Sequence, residues 1–592
     1  MMMRKSQTHR KISKVTLSLE IHPSLNRFCD RGDPLKKAIC RTISGGLTEL
    51  LEILGIPGRS TVRATKLREP TMGNLRLLRV SVNGQLCRYS DELLGRVYNY
   101  VTDVPLTPEV GPNEILAWLR ELSGQRDEKA DFTIAEFFRF ACLEVIKRNP
   151  AVLLGRDQVD TYQTSLPLPS EKAGLQQGTW PPEQTWLHQV LSKVLSVRVS
   201  IADKERVVDV LTRGLEEKQS QEDIVEDLIV VLRPDIVEIQ LSRDYLKEVT
   251  TAASGNGYDN FSIMRDGMFY ELGLNYPDFR FTPVEYLKRN GFAFKINHLT
   301  TLPRIGLRLE QCLVNDTTDR LSLLNIQGMR AINPANASEC SIIDSNYRQI
   351  AESAGLTTWN QMGYLVLSFA ADLRENSACL VHRQGVQSQF DQLAQAFPTL
   401  VDTVQERVGI NQVTRVLRAL VAEGLSIRNL RLILEWMLDY DYIVTDPYNY
   451  IIFDDRMPTS REPDEAWLRD PVNLASFVRV GMKRYISSKY ARGGNTLVVY
   501  LLDREIEESL LEHLKRGSRL AEDKRDKILE AVRGEVSTLP STGSIPSILT
   551  TIDLRAFVRE VILPEFPRLP VLAYNELSPD MNIQPIARIA LT

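Results

Sequence analysis

The 592-residue sequence predicts a multidomain α+β protein, with several small α/β subdomains, a helical hairpin subdomain and a tandem duplication. Length is the first observation behind this prediction, because single hydrophobic cores stop growing beyond about 250–300 residues. The second is a set of segments that recurs in the same order in both halves of the chain. The third is a pair of amphipathic helices in the second half, joined by a short turn.

Each half begins with a strand, a helix that ends at a glycine, and another strand. In the first half these segments read LSLEIHPSL, ELLEILGIPG and LRVSVNG. In the second half they read IVEIQLSRDYL, MFYELGLNYPDF and FAFKINH. Alternating apolar residues predict the strands, and apolar residues at helical spacing predict the helices. Two unrelated α+β domains with similar patterning are the alternative explanation.

Two further pairs of segments support the repeat. Residues 148–159 (RNPAVLLGRDQV) and 375–386 (ENSACLVHRQGV) share Asn, Ala, Leu, Arg and Val in register. Residues 210–232 align with 416–438 mainly at apolar positions.

The second alignment has a consequence for charge. It places Glu222 opposite Arg428 and Val225 opposite Arg431, and such a reversal would favour contact between unlike copies. Arg428, Arg431, Glu435 and Glu222 are therefore candidate interaction residues. The alternative is that the two arginines are solvated and have local partners.

Residues 411–438 predict two amphipathic helices joined by a tight turn. Gly424 suits the left-handed position at a helix C-terminus, and Ser426 is predicted to cap the next helix. Each helix carries one apolar stripe, so both stripes are expected to be buried. The stripes are Val413, Val416, Leu417, Leu420 and Val421 on the first helix, and Ile427, Leu430, Ile433, Leu434, Met437 and Leu438 on the second.

Composition and apolar patterning divide the chain into seven segments. They are a basic disordered tail (1–14), first-copy α+β subdomains (15–165), a linker (166–185), a first-copy helical subdomain (186–232), second-copy α+β subdomains (235–385), a helical subdomain (386–484) with an acidic insert (441–470), and a C-terminal α/β subdomain (485–592).

Charge and motif content exclude several function classes. The net charge of -4 is unlike that of a protein that grips phosphate backbones. The six histidines and seven scattered cysteines show no zinc-site spacing, and no nucleotide-binding loop or nucleophile elbow is present. We therefore predict no catalytic residue, no cofactor and no metal. No run approaches the roughly 20 apolar residues of a transmembrane helix, so none is predicted.

A family resemblance is carried by the second half. The segment LSIRNLRLILE closely resembles the third cytosolic subdomain of the large export-gate protein of bacterial type III secretion, the FHIPEP family. VRVGMKRYISSKY and GGNTLVVYLLDREIEESL resemble the continuation into the fourth subdomain, and LTTIDLRAFVREVILPEFPRLPVLAYNELSPDMNIQPIARI resembles the family's end. The resemblance is strong over 405–592, weaker over 235–404, and reaches the first half only through the repeat.

The resemblance implies a function without catalysis. The cytosolic part of this family forms rings and docks export substrates, chaperones and apparatus proteins, and a cytoplasmic or peripheral inner-membrane location follows. The family's membrane half is not seen in this sequence, so the gating role is not transferred. Its docking surface lies around the second subdomain, where residues 281–340 align too poorly for docking residues to be carried over.

The sequence leaves two alternatives to this function. One is a stand-alone scaffold that uses the fold outside secretion. The other is a helix-turn-helix nucleic-acid binder, with Arg428 and Arg431 near the start of the second helix. Glu435 on the same helix and the net negative charge speak against nucleic acid.

Overall fold

A computed structural model shows a mixed α+β chain whose described residues form four small sheets, which confirms the predicted class. It divides into two compact units, 1–105 with 109–241 and 279–305, and 106–108 with 242–278 and 306–592. The structure describes residues 13–25, 27, 33–67, 77–105, 110–167, 184–234, 236–252, 257–276, 278–336, 338–445, 470–516, 520–536 and 546–591. The predicted basic tail up to residue 12, linker residues 168–183 and insert residues 446–469 lie outside this description.

The first unit opens with a four-stranded sheet of order β2-β1-β3-β4. β1 pairs with β2 in parallel and with β3 antiparallel, and β3 pairs antiparallel with β4. Alternate residues of β1 are buried, as its apolar alternation predicts. The strands are β1 (Lys14–Ile21), β2 (Arg59–Lys66), β3 (Leu78–Val82) and β4 (Gln85–Cys87).

Eight helices accompany this sheet in the described part of the first unit. The first of them is capped by the Asp33 carboxylate, which accepts a hydrogen bond from the Leu35 N–H at 2.9 Å, and it ends at Gly55 with φ 74°. The helices are α1 (Pro34–Leu54), α2 (Asp91–Val101), α3 (Pro112–Gln125), α4 (Glu128–Arg148), α5 (Arg156–Thr164), α6 (Gln184–Ser196), α7 (Lys204–Glu216) and α8 (Gln221–Leu232), with a 3-10 helix at Pro150–Leu153.

A second sheet, of order β6-β5-β7-β8 with β9 beside β7, also falls in the first unit except at its strand ends. The β5–β7 and β7–β8 pairs are antiparallel. The strands are β5 (Ile236–Ser242), β6 (Asp278–Val284), β7 (Gly291–Ile296), β8 (Leu299–Thr300) and β9 (Arg304–Ile305).

The second unit begins with two helices and a small antiparallel sheet subdomain of order β11-β12-β10-β13. Its own core is built around Cys312, Val314, Leu321, Ile326 and Ile343. The elements are α9 (Arg243–Ala252), α10 (Gly257–Leu272), β10 (Gln311–Val314), α11 (Thr318–Ser322), β11 (Gly328–Ile332), β12 (Glu339–Asp344), α12 (Arg348–Ser353) and β13 (Thr358–Trp359).

A helical subdomain follows, and its elements are α13 (Gln361–Glu375), a 3-10 helix (Ser377–Leu380), α14 (Arg383–Ala394), α15 (Pro398–Arg407), α16 (Ile410–Ala422), α17 (Leu430–Thr445), α18 (Pro471–Gly481) and α19 (Lys483–Tyr490). The predicted hairpin is α16–α17. Gly424 has φ 70°, and all stripe residues except the half-buried Leu438 are buried.

The predicted cap of the hairpin's second helix is wrong in one detail. Because α17 begins only at Leu430, the side chain that accepts a hydrogen bond inside its first turn is that of Asn429, from the Leu432 N–H at 3.3 Å. Ser426 instead accepts from the Arg428 N–H at 3.3 Å and stabilises the turn before the helix.

The C-terminal subdomain is a parallel sheet of order β16-β15-β14-β17 with helices against it. The predicted strand TLVVYLLD and helix LRAFVREVIL are β14 and α22. The strand predicted in LPVLAYNEL is short, because a 3-10 helix (Tyr574–Glu576) begins directly after it. The elements are β14 (Thr496–Leu502), α20 (Arg504–Arg516), α21 (Glu522–Val536), β15 (Ser547–Thr550), α22 (Ile552–Ile562), β16 (Val571–Ala573) and β17 (Asn582–Ile589).

Within the described ranges, no helix is both long enough and apolar enough to span a bilayer. Three of the described cysteines, Cys142, Cys312 and Cys340, are buried and carry free thiols.

Candidate functional site

The candidate arginines of the hairpin stack on aromatic rings of their own unit. The Arg428 guanidinium carbon lies 4.7 Å from the Tyr270 ring centroid, and that of Arg431 lies 4.4 Å from the Phe397 ring centroid. Arg431 Nε also donates to a Glu435 carboxylate oxygen at 2.7 Å, one turn further along α17. Both arginines thus have local partners, the alternative that the sequence left open, and an interaction role for them stays a prediction.

Glu222 lies in the first turn of α8, in the other unit. Its carboxylate accepts a hydrogen bond from Lys193 Nζ at 3.0 Å, and both side chains are partly exposed. Nothing in this local geometry tests a role in binding, so Glu222 also stays a prediction.

The structure also offers a second way to match the two halves, beside the sequence alignment that sets Glu222 opposite Arg428. The turns before α7 and α17 share a left-handed residue, Arg198 with φ 63° and Gly424 with φ 70°. Two residues after it, a serine hydroxyl accepts a backbone N–H in each turn, from Ala202 to Ser200 at 3.1 Å and from Arg428 to Ser426 at 3.3 Å. This match of the two turns sets Ala202 opposite Arg428 and, by the same spacing, Glu205 opposite Arg431.

A buried cluster of four charged side chains joins the helical and C-terminal subdomains of the second unit. Arg479 in α18 donates to both Glu576 carboxylate oxygens, from Nε at 2.6 Å and from Nη2 at 2.7 Å, and from Nη1 to Glu423 at 3.0 Å. Arg555 in α22 completes the cluster through two hydrogen bonds to Glu423, at 2.8 and 2.6 Å. Sequence reasoning missed all four residues.

The electrostatics of this cluster favour permanent ionisation. Burial opposes charge on Arg479 and on Glu423, yet the neighbouring opposite charges hold the pKa of Arg479 above its ordinary value and that of Glu423 below it. A carboxylate held ionised in this way is a poor proton donor or acceptor near neutral pH. We therefore assign the cluster to stability.

The small sheet subdomain carries a different kind of surface. Leu323, directly after α11, is 83% exposed, and Met329 on β11 is 41% exposed, with Leu324 partly exposed between them. β11 is a terminal strand of its sheet, paired in the described structure with β12 alone, and its other backbone edge is open. Exposed large apolar side chains next to an open strand edge are typical of protein-binding surfaces.

Possible metal ligands are dispersed among the residues that the structure describes. No group of three or more His, Cys, Asp or Glu side chains lies close enough there to hold a metal ion. His22 and His298, whose pKa values are lowered mainly by burial, make hydrogen bonds to Ser24 and Ser200.

Comparisons with known proteins agree with the resemblance. The model of the FHIPEP family matches residues 213–582. Low calcium response locus protein D of Yersinia pestis is 28% identical over 338 residues, which are 56% of this chain and 44% of that protein. Flagellar biosynthesis protein FlhA of Bacillus subtilis is 23% identical over 392 residues, 65% of this chain and 53% of that protein. The chain spans about half the length of the curated relatives it matches.

Among solved structures, the Chlamydia pneumoniae CdsV protein matches with a TM-score of 0.51 and 26% identity, over 60% of this chain and 98% of that one. A structure of CdsV in complex with CdsO matches equally well, at a TM-score of 0.51 and over 97% of that chain. The family match covers more than half of this sequence and includes the hairpin, the charged cluster and three of the four strands of the terminal sheet, all but β17. The chain therefore belongs to the FHIPEP family, the export-gate family of type III secretion.

Proposed function

We propose that this chain is a docking and assembly module of type III protein export that binds proteins and performs no catalysis. The observation that carries the proposal is the exposed apolar surface of the small sheet subdomain, formed by Leu323, Leu324 and Met329 beside the open edge of β11. It falls in the region for which the family resemblance implied docking but identified no residues.

The physical argument concerns water and unpaired backbone groups. Covering a mostly exposed leucine returns its contact water to bulk, which stabilises a complex by roughly 1.5–3 kcal/mol for full burial. An extended segment of a partner can also pair its backbone with the free edge of β11. Because the family resemblance implies docking of export substrates and their chaperones, they are the partner class that we propose.

Two further observations support binding without catalysis. The Glu423 carboxylate is paired with Arg479 and Arg555 and its pKa lies below the ordinary value, so it is not poised for proton transfer near neutral pH, and Glu576 is bound to Arg479 in a buried position. CdsV, a family member of matching fold, is known in complex with another protein, CdsO.

The docking surface is tested by titrating the chain with a purified type III chaperone bound to its export substrate, using calorimetry. We expect Leu323→Gln to weaken binding at least about tenfold, the equivalent of about 1.4 kcal/mol. Leu563→Gln, which changes a partly exposed leucine of the C-terminal subdomain, is the matched control and should bind as the unchanged chain does. Equal affinities for Leu323→Gln and the unchanged chain would reject this surface.

Self-assembly into a ring belongs to the same proposal and rests on the family resemblance. Head-to-tail contacts are heterologous, so they can close a ring. Mass photometry over a range of concentrations is the measurement. A closed oligomer of fixed size supports this part, and a strict monomer at high concentration contradicts it.

A further inference from the structure

The first and second sheets share one strand order, apart from the additional strand β9 in the second. Orders β2-β1-β3-β4 and β6-β5-β7-β8 correspond strand by strand, and the pairs β1–β3 and β5–β7 are antiparallel in both, as are β3–β4 and β7–β8. In both cases the turn after the third strand begins with an asparagine of positive φ, Asn83 at 51° and Asn297 at 53°. The two sheets therefore share their strand order, the direction of these strand pairs and the backbone conformation of this turn.

The helical parts also correspond. α8 packs on both α6 and α7, as α18 packs on both α16 and α17. A 3-10 helix packs on the first member of each trio, Pro150–Leu153 on α6 and Ser377–Leu380 on α16. This agrees with the sequence match of 148–159 to 375–386. The same packing changes the register in which residues 210–232 are matched to the second half. Apolar residues at helical spacing coincide in more than one register, so the sequence alone did not fix this match.

One close approach is repeated in detail. The helix before each second strand ends at a glycine, Gly55 after α1 and Gly273 after α10, with φ 74° and 75°. The preceding carbonyl accepts a backbone hydrogen bond from the turn of the helical trio, Ile201 N–H to Leu54 at 2.9 Å and Ile427 N–H to Leu272 at 2.8 Å.

Neither glycine has room for a side chain. A Cβ on Gly55 would lie 2.3 Å from the Ala202 Cα, and a Cβ on Gly273 would lie 2.5 Å from the Arg428 Cα. Ala202 and Arg428 are the counterparts identified from the serine turns. Two independent contacts therefore give the same register.

The turn of the first trio holds the second sheet. The Arg198 carbonyl accepts the His298 N–H at 3.1 Å, and the Ser200 N–H donates to His298 Nδ1 at 3.1 Å. Asn297 Nδ2 donates to the Val197 carbonyl at 2.7 Å in a buried position. Leu299, just after this β-turn, is part of the core that the first unit builds around the first sheet.

The corresponding backbone atoms of the second trio have different partners. The Gly424 carbonyl, counterpart of that of Arg198, accepts a hydrogen bond from Lys489 Nζ. The Ser426 N–H, counterpart of that of Ser200, donates to Tyr485 Oη at 3.1 Å. Both partners lie on α19.

We infer that the chain is a tandem duplication of one sheet-and-helical-trio module, and that the turn 197–200 of the first copy is a binding site whose occupant is the β-turn Asn297–His298 of the second copy. In the second copy the same turn is closed by α19. The contact is used once per chain, between the copies, and α19 caps the repeat at its C-terminal side as terminal elements cap repeat proteins.

Hydrogen exchange of the full chain, read at single amides, tests this inference. Asn297→Asp keeps a residue that tolerates positive φ but cannot donate to the Val197 carbonyl. We expect the amides of Ser200 and His298 to exchange about tenfold faster. Asn83→Asp, the counterpart in the first sheet, should leave these two amides unchanged.

A second variant tests the equivalence of the two turns. Tyr485→Phe removes the acceptor of the Ser426 N–H, so exchange at Ser426 should rise while exchange at Ser200 does not. If Asn297→Asp impairs folding, Asn297→Gly removes the same donor and preserves backbone freedom. Unchanged exchange at Ser200 and His298 in the Asn297 variant, or no response at Ser426 in Tyr485→Phe, overturns the inference.

Discussion

The buried charged cluster of the second unit should be the most sensitive point of that unit to single substitutions. The Arg479 side chain is 1% exposed and that of Glu576 is 0% exposed, and with Glu423 and Arg555 they form a neutral set of two cations and two anions. Arg479→Met keeps most of the volume but leaves one uncompensated negative charge out of water. Removing one member of a buried pair typically costs about 3–5 kcal/mol, and we expect a loss of that size.

The assay is urea unfolding followed by tryptophan fluorescence. Trp436 is a suitable reporter because its ring packs 5.3 Å from that of Phe477, two residues before Arg479. The double variant Arg479→Met with Glu576→Met removes both charges, so it should recover roughly half of the loss.

Arg504→Met is the matched control, since the Arg504–Glu508 pair is exposed, and its midpoint should not move. A loss below about 1 kcal/mol in Arg479→Met would refute the argument that this cluster is an obligatory neutral set.

Two further predictions concern pH and backbone geometry. The pKa of the Glu423 carboxyl is below its ordinary value of 4.5. The ionised carboxylate therefore contributes its full stabilisation above pH 4.5, and this contribution is lost as the pH falls further. Glu423→Gln should make the melting temperature depend less steeply on pH in this acid range. Gly273→Ala should lower the free energy of unfolding of the second unit by more than about 1 kcal/mol, because φ is 75° and the new Cβ would meet Arg428. Gly267→Ala is the control, because Gly267 lies in an open position on α10. In the same thermal melts it should be neutral or stabilising by up to about 1 kcal/mol.

The hairpin could be predicted because its information is local. The apolar stripes follow the helical period, and Gly424 occupies the one position that needs a left-handed residue. The cap was misplaced because Ser426 and Asn429 both suit a helix N-terminus, and sequence alone does not say which of the two the helix starts from. The register of the predicted repeat is ambiguous in sequence for a similar reason, since apolar spacing recurs along every amphipathic helix.

The charged cluster could not be predicted because its partners are distant in sequence. Arg479 and Glu576 are 97 positions apart, and a charged residue is usually assigned to the surface. One signal was present. Arg555 occupies the apolar stripe of α22 together with Val558 and Ile562, and an arginine in that position suggests a buried partner. No such signal marks Leu323 or Met329, because exposure of an apolar residue depends on tertiary packing.

The buried thiols can report, by chemical labelling, which part of the protein unfolds. Burial raises the pKa of Cys142, raises that of Cys312 to about 11 and raises that of Cys340 to about 12, so little thiolate forms near neutral pH. An alkylating reagent will therefore modify these sulfurs chiefly in molecules in which the surrounding core has unfolded. Cys142 belongs to the first unit, and Cys312 and Cys340 belong to the second. The order in which the peptides that contain these cysteines gain the mass of the reagent will show which unit unfolds first.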